Sequence, residues 1–186
     1  MQIGVTTAIF DDQGCILLTQ REDFEVWCLP GGSVDEGESL AAAAIREAFE
    51  ETGLRVQLIS HVATYSYEAV SDGMLHITCY RAIVIGGSLQ PDPHEVIAMD
   101  WFAPDALPKH FLVGQRRRIL DATSGIVGKV QHERRTNRLP YRMTRKELYA
   151  FRDASGLSRR DFYMHYFPEP SAEDVIVEIA GSKLNS

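Results

Sequence analysis

The chain has 186 residues, 45% of them hydrophobic and 24% charged, with a formal net charge of −7. These values describe one globular domain of ordinary size with room for a small appendage, and they exclude a disordered or fibrous chain. No stretch approaches the ~20 apolar residues of a membrane span, and the opening "MQIGVTTAIF" lacks the basic n-region of a signal peptide. Cys15, Cys28 and Cys79 lie far apart with no C-x-x-C, which argues against a disulfide framework or a zinc site. They read as small core residues of a cytoplasmic protein.

In chain order, "IGVTTAIF" reads as a strand and "CILLTQR" as its hairpin partner across the turn signal "DDQG". Pro30, Gly31 and Gly32 force a loop after "FEVWCL". A helix is predicted from near Ser39, a good N-cap type, to Gly53, which is placed to end it. Residues 55–69 and 74–87 are rich in β-branched and aromatic side chains and read as two strands around "VSDG". "VIAMDWFA" is a further strand, broken by "PDALP". "KHFLVGQRRRILDAT" repeats at helical period, with Leu112, Val113, Ile119 and Leu120 as its apolar members. This succession predicts an α/β layered domain over residues 1–125.

The predicted helix carries Glu47, Glu50 and Glu51, which fall within one arc of roughly 100°. Ile45 and Phe49 fall opposite and are expected to face a core. Like charges at helical spacing are mutually destabilising, so a cation is expected to offset them. Three converging carboxylates make a hard-oxygen site for Mg²⁺ or Mn²⁺, and such ions usually bridge to substrate phosphates. The chemistry indicated is phosphoryl or pyrophosphoryl transfer to water.

The wider spacing is Gly32, five residues, Glu38, seven residues, Arg46-Glu47, apolar Ala48, one residue, Glu50-Glu51, one residue, Gly53 and apolar Leu54. Seven fixed identities at ~6% usage each match by chance in roughly a few of ~10⁹ start positions. The stretch resembles the complete signature of the Nudix hydrolases. The resemblance covers about residues 1–125 and implies an αβα sandwich with a mixed sheet. It implies metal-dependent hydrolysis of a nucleoside diphosphate linked to another moiety, such as a nucleoside triphosphate or ADP-ribose. Glu47, Glu50 and Glu51 match the family's metal-binding positions, and the backbone of Gly32 matches a further contact. Glu38 and Arg46, with Gly53, match positions that brace the loop and helix. Glu51 is the choice for general base within the signature.

Outside the signature, Glu95 stands six residues before Trp101, where many family members place an extra acid near the metals. His94 beside it is a further candidate to act in the reaction. Arg21 closes a strand and is a candidate to pair with a phosphate, while Phe24 and Trp27 are candidates to stack on a base. For Trp27, core packing is the competing role. Tyr65 and Tyr67 lie where some family members read their substrate, and Tyr67 is taken as the candidate.

Residues 126–186 are set apart by charge. Residues 1–125 carry 8 Lys and Arg against 18 Asp and Glu, a balance of −10, and residues 126–186 carry 11 against 8, a balance of +3. "GKVQHERRTNRLP" is basic and lacks an apolar pattern, so it reads as a linker. Thr144 with Glu147 reads as a capping box, Gly156 breaks the helix, and Ser158 caps a second one. "DVIVEIA" then reads as a strand. Helix, turn, helix and strand are weakly similar to the winged-helix part of Nudix-related regulators. The alternatives are therefore a helical extension that lids the site or builds a homodimer, and a ligand-sensing regulator that binds DNA through this segment.

Overall fold

The computed structural model describes residues 2–68 and 73–184. Its strands are β1 (Gln2–Phe10), β2 (Ile16–Arg21), β3 (Trp27–Cys28), β4 (Leu54–Glu68), β5 (Met74–Gly87), β6 (Val96–Phe102), β7 (Ile126–Val127), β8 (Lys129–Glu133), β9 (Val175–Ile179) and β10 (Ser182–Lys183). The helices are α1 (Leu40–Thr52), α2 (Gln115–Thr123), α3 (Arg145–Ala154) and α4 (Arg159–Tyr166). Residues 69–72, most of the "VSDG" turn, lie outside the described residues.

The main sheet runs β3-β2-β1-β5-β4-β8-β9, with β6 also on β2. It is mixed: β1 pairs parallel with β5 and β4 with β8, while β4 and β5 pair antiparallel. Side chains alternate across a strand, so β1 serves two layers. Ala8 and Phe10 join Leu18, Tyr65, Ile119 and Ala122 beneath α2, and Ile9 joins Leu17, Ala48 and Val56 beneath α1. The result is the αβα sandwich.

α1 packs differently from the helical-wheel expectation. Its buried side is Ala43, Ala44 and Ala48 with Glu51 and Thr52, whereas Ile45 is 42% and Phe49 54% exposed. The alanines let the helix lie close on β1, where Thr7 Oγ1 donates to the carbonyl of Ala44 at 3.2 Å. Close approach therefore decides the face, and the bulkier apolar residues are left outside. Ser39 caps the start, accepting from Ala42 N at 3.1 Å. Gly53 ends the helix at φ 74°, where a Cβ would come within 2.5 Å of the Ser88 carbonyl. α2 is shorter than its periodic stretch, because Gly114 at φ 80° starts it.

The linker reading is corrected. Residues 129–133 form β8, paired in register with Ala63–Tyr67 of β4, and β9 pairs β8 in turn. The apolar pattern is missing because the buried residues of β8 are polar. Lys129 Nζ donates to Asp121 at 2.7 Å, Gln131 Nε2 to Glu133 at 2.9 Å, and Arg135 pairs with Glu133 at 2.5 Å. α3 and α4 seat Phe162 and Tyr163 against Phe24, Val26 and Val113. The extension thus shares both a sheet and an apolar cluster with residues 1–125.

Candidate active site

α1 gathers the carboxylates, and Arg46 organises them. Its Nε and Nη2 donate to the two oxygens of Glu38 at 3.0 and 2.8 Å. Its Nη1 donates to Glu47 at 2.9 Å and Glu50 at 3.0 Å, and Nη2 also reaches the Ser33 carbonyl at 3.1 Å. The hydrogen bonds with Arg46 hold Glu38 below the usual carboxylate range. Arg46 ties the loop after Gly32 to the helix and supplies part of the positive charge that the crowded glutamates need.

Glu51 has no hydrogen bond to Arg46 among the described residues and is held instead at the buried end of the cleft lining. It is 8% exposed and accepts from Gly31 N at 3.1 Å. Burial pushes its carboxyl up to about 8, and Glu47 and Glu95 push in the same direction. Burial also raises Glu47. Gly32 is required for this geometry, since a Cβ there would stand 2.6 Å from the Glu47 carboxylate oxygens. Among the described residues, no three His, Cys, Asp or Glu side chains are grouped as a metal cage, because Arg46 draws Glu47 and Glu50 to itself. The donor chemistry still fits a hard divalent cation. All the side chains are carboxylates, their mutual repulsion is what such an ion relieves, and Gly32 leaves room beside them.

Glu47 and Glu51 open onto a cleft of about 540 Å³. His94, Glu95, Arg21, Asp23, Arg145 and Tyr149 line it as well. Glu95 is held to the loop after β2, its carbonyl accepting from Glu22 N at 2.9 Å. Arg21 Nε and Nη2 both donate to Asp23, at 2.9 and 2.6 Å. Burial alone would raise Asp23, but these bonds outweigh it and hold the carboxyl low. Arg21 therefore has its fork on Asp23. Arg145 and Tyr149 were not singled out from sequence: the capping box placed α3, but nothing in it says which surface the helix docks on.

A second recess of about 580 Å³ shares Arg21, Gly31, Gly32 and Ser33 with the cleft. Val5, Leu29, Ile77 and Leu112 give it apolar walls, and Arg118 lies at its lining although only 1% exposed. The Nε and Nη2 of Arg118 have no hydrogen-bond partner among the described residues. Sequence reasoning missed Arg118, which is one of three consecutive arginines with nothing to distinguish it.

The three aromatic candidates sit as follows. Phe24 is buried, with Phe162 stacked at 6.4 Å between ring centroids and Tyr163 tilted at 5.0 Å, so its ring belongs to the cluster and not to the acidic cleft. Trp27 meets Phe102 edge-on at 5.0 Å and packs on the main core. Tyr67 does line the recess, with the Arg135 guanidinium 3.4 Å over its ring.

The family model described as the NUDIX domain matches residues 1–123. The chain belongs to the Nudix family. This Nudix protein is 33% identical over 122 residues to a Bacillus subtilis (strain 168) protein provisionally described as an 8-oxo-dGTP diphosphatase, covering 66% of this chain and 80% of that one. It is 33% identical over 107 residues to the CTP pyrophosphohydrolase of Escherichia coli (strain K12), covering 55% and 77%. Among solved structures, the MutT NUDIX hydrolase of Burkholderia pseudomallei aligns with a TM-score of 0.59 at 29% identity, covering 64% of this chain and 96% of that one. An ADP-ribose pyrophosphatase of Streptococcus suis 89-1591 aligns with a TM-score of 0.57 at 27% identity, covering 71% and 98%. The chain is a Nudix pyrophosphohydrolase, an enzyme of nucleotide-type substrates that works with a divalent metal. No helix among the described residues is long and apolar enough to cross a membrane.

Proposed function

We propose that the enzyme hydrolyses a nucleoside polyphosphate with Mg²⁺, using Glu47, Glu50, Glu51 and the backbone of Gly32 to hold the cation. When bound, the cation supplies neutralisation of phosphate charge and polarisation of the reacting water. Arg46 and Glu38 keep the loop and helix in register, and Gly53 ends the helix. Glu51 is assigned the water's proton because it lines the cleft, and a bound cation would keep its carboxyl ionised and able to accept that proton. Glu95 lines the same cleft and would orient the attacking water. The new bond joins the water oxygen to phosphorus, and the bond that breaks is the P–O–P anhydride, whose oxygen leaves with the second phosphate.

The recess suits the nucleoside. Its apolar walls accept a flat base, and the orphan donors of Arg118 suit acceptor atoms on a base edge. The observation that carries the reading is the full signature folded into a carboxylate-lined cleft that runs into this recess. The test is a product screen. Wild type and Glu51→Gln are incubated with Mg²⁺ and nucleoside triphosphates, ADP-ribose, nucleotide sugars or dinucleotides, and the products are separated by chromatography. Turnover by wild type alone supports the assignment; equal turnover by both proteins removes Glu51 from the mechanism.

A further inference from the structure

The family match ends at residue 123, but the cleft does not. Arg145 and Tyr149, one turn apart on α3, stand in its lining with Glu47, Glu51 and Glu95. We infer that Arg145 is a phosphate-binding residue of this hydrolase, supplied to the catalytic cleft by the C-terminal extension. The inference rests on the pyrophosphohydrolase reading and adds a residue to it.

Two arginines line the cleft, and they are held differently. Arg21 has Nε and Nη2 on the Asp23 carboxylate. Arg145 donates from Nε to the Tyr149 hydroxyl at 2.8 Å, and its Nη2 stops 4.0 Å from Asp23. No other hydrogen bond of Arg145 is found among the described residues, and its side chain is 75% exposed. A guanidinium has five N–H donors, so the Nη pair of this cleft-lining arginine is left without a hydrogen-bond partner among the described residues. A planar pair of donors matches two oxygens of one phosphate.

The arginine is also positioned. The Tyr149 hydroxyl donates to Asp23 Oδ2 at 2.9 Å, and Arg152 Nη1 donates to the Asp23 carbonyl at 2.5 Å. Phe24, next in the chain, meets Tyr149 edge-on at 5.8 Å. These contacts fix α3 against the loop that follows Arg21. The need is electrostatic: Glu22, Asp23, Glu47, Glu51 and Glu95 line the same cleft, and a polyphosphate entering it meets their repulsion. A cation in the lining draws the substrate in and fixes its outer phosphate.

The experiment compares Arg145→Ala, Arg145→Lys and a control, Lys146→Ala, in the full chain. Binding of inorganic pyrophosphate in the presence of Mg²⁺ is measured by calorimetry, and KM and kcat are measured on the substrate that the product screen identifies. Arg145→Ala is expected to weaken pyrophosphate binding and raise KM about tenfold, with kcat held within about threefold, as loss of one charge-assisted phosphate contact predicts. Arg145→Lys should recover part of the loss, and Lys146→Ala should behave as wild type. Equal pyrophosphate affinity in wild type and Arg145→Ala, or no pyrophosphate binding by wild type, overturns the inference. Because binding is read directly, a wild type that binds pyrophosphate but turns over no substrate would count against the hydrolase reading and leave the phosphate site standing.

Discussion

Helices α1 and α3 both bring charge to one cleft, but they are placed by opposite means. α1 is placed locally. Its cap, its alanines and its C-terminal glycine lie within or beside it, and the arginine that gathers its glutamates is its own Arg46. α3 is placed from a distance. Its contacts run to Asp23 and Phe24, more than a hundred residues earlier, and α4 adds Arg159 on Glu22 and Arg160 near Glu25. The comparison explains the basic charge of the extension. Several of its arginines face the acidic loop of residues 22–25, so the charge is matched within the molecule.

The largest effect that would break this comparison is expected at Glu51. Glu51→Gln should lower kcat by at least ~10³, about 4 kcal/mol of transition-state stabilisation. The same change should alter stability in the other direction. With the folded carboxyl raised from 4.5 to about 8, the native state binds the proton more tightly than the unfolded chain. In chelator, wild-type stability should therefore fall as pH rises from about 4.5 to about 8, and Glu51→Gln should flatten that slope. Thermal melts across pH check the sign.

Next is the aromatic seat of the extension. Phe162 is fully buried against Phe24, Phe151 and Tyr166. Phe162→Ala should cost ~3–4 kcal/mol in denaturant unfolding. The same substitution at Phe49, 54% exposed on α1, should change stability by less than ~0.5 kcal/mol. If Phe49→Ala proves the more costly, the account of how α1 packs is wrong. Smaller than the Phe162 effect is that of Arg159→Ala. Its pair with Glu22 is about two-fifths exposed on both sides, so its loss should cost under ~1 kcal/mol and fade with salt.

The same contrast sets what the sequence made legible. β1, β2, β4, β5 and β6 and the caps of α1, α3 and α4 all follow from local pattern. β8 was hidden because its core positions are Lys129, Gln131 and Glu133, and a hydrophobic periodicity cannot register buried polar side chains. The buried face of α1 was misjudged because bulk was weighed above the close approach that alanine permits. Arg118, Arg145 and Tyr149 reach the cavities only through tertiary packing, which leaves no spacing to read.

The central claim is that the α1 glutamates are gathered to hold a divalent cation for pyrophosphate hydrolysis. The most direct test is turnover as a function of Mg²⁺ concentration for wild type, Glu47→Gln and Glu51→Gln, with chelator as the zero point. The account predicts no turnover in chelator, saturable activation of wild type, and a curve displaced to higher Mg²⁺ or abolished in both variants. Wild-type turnover that persists in chelator, or variant curves that overlay wild type, would contradict it.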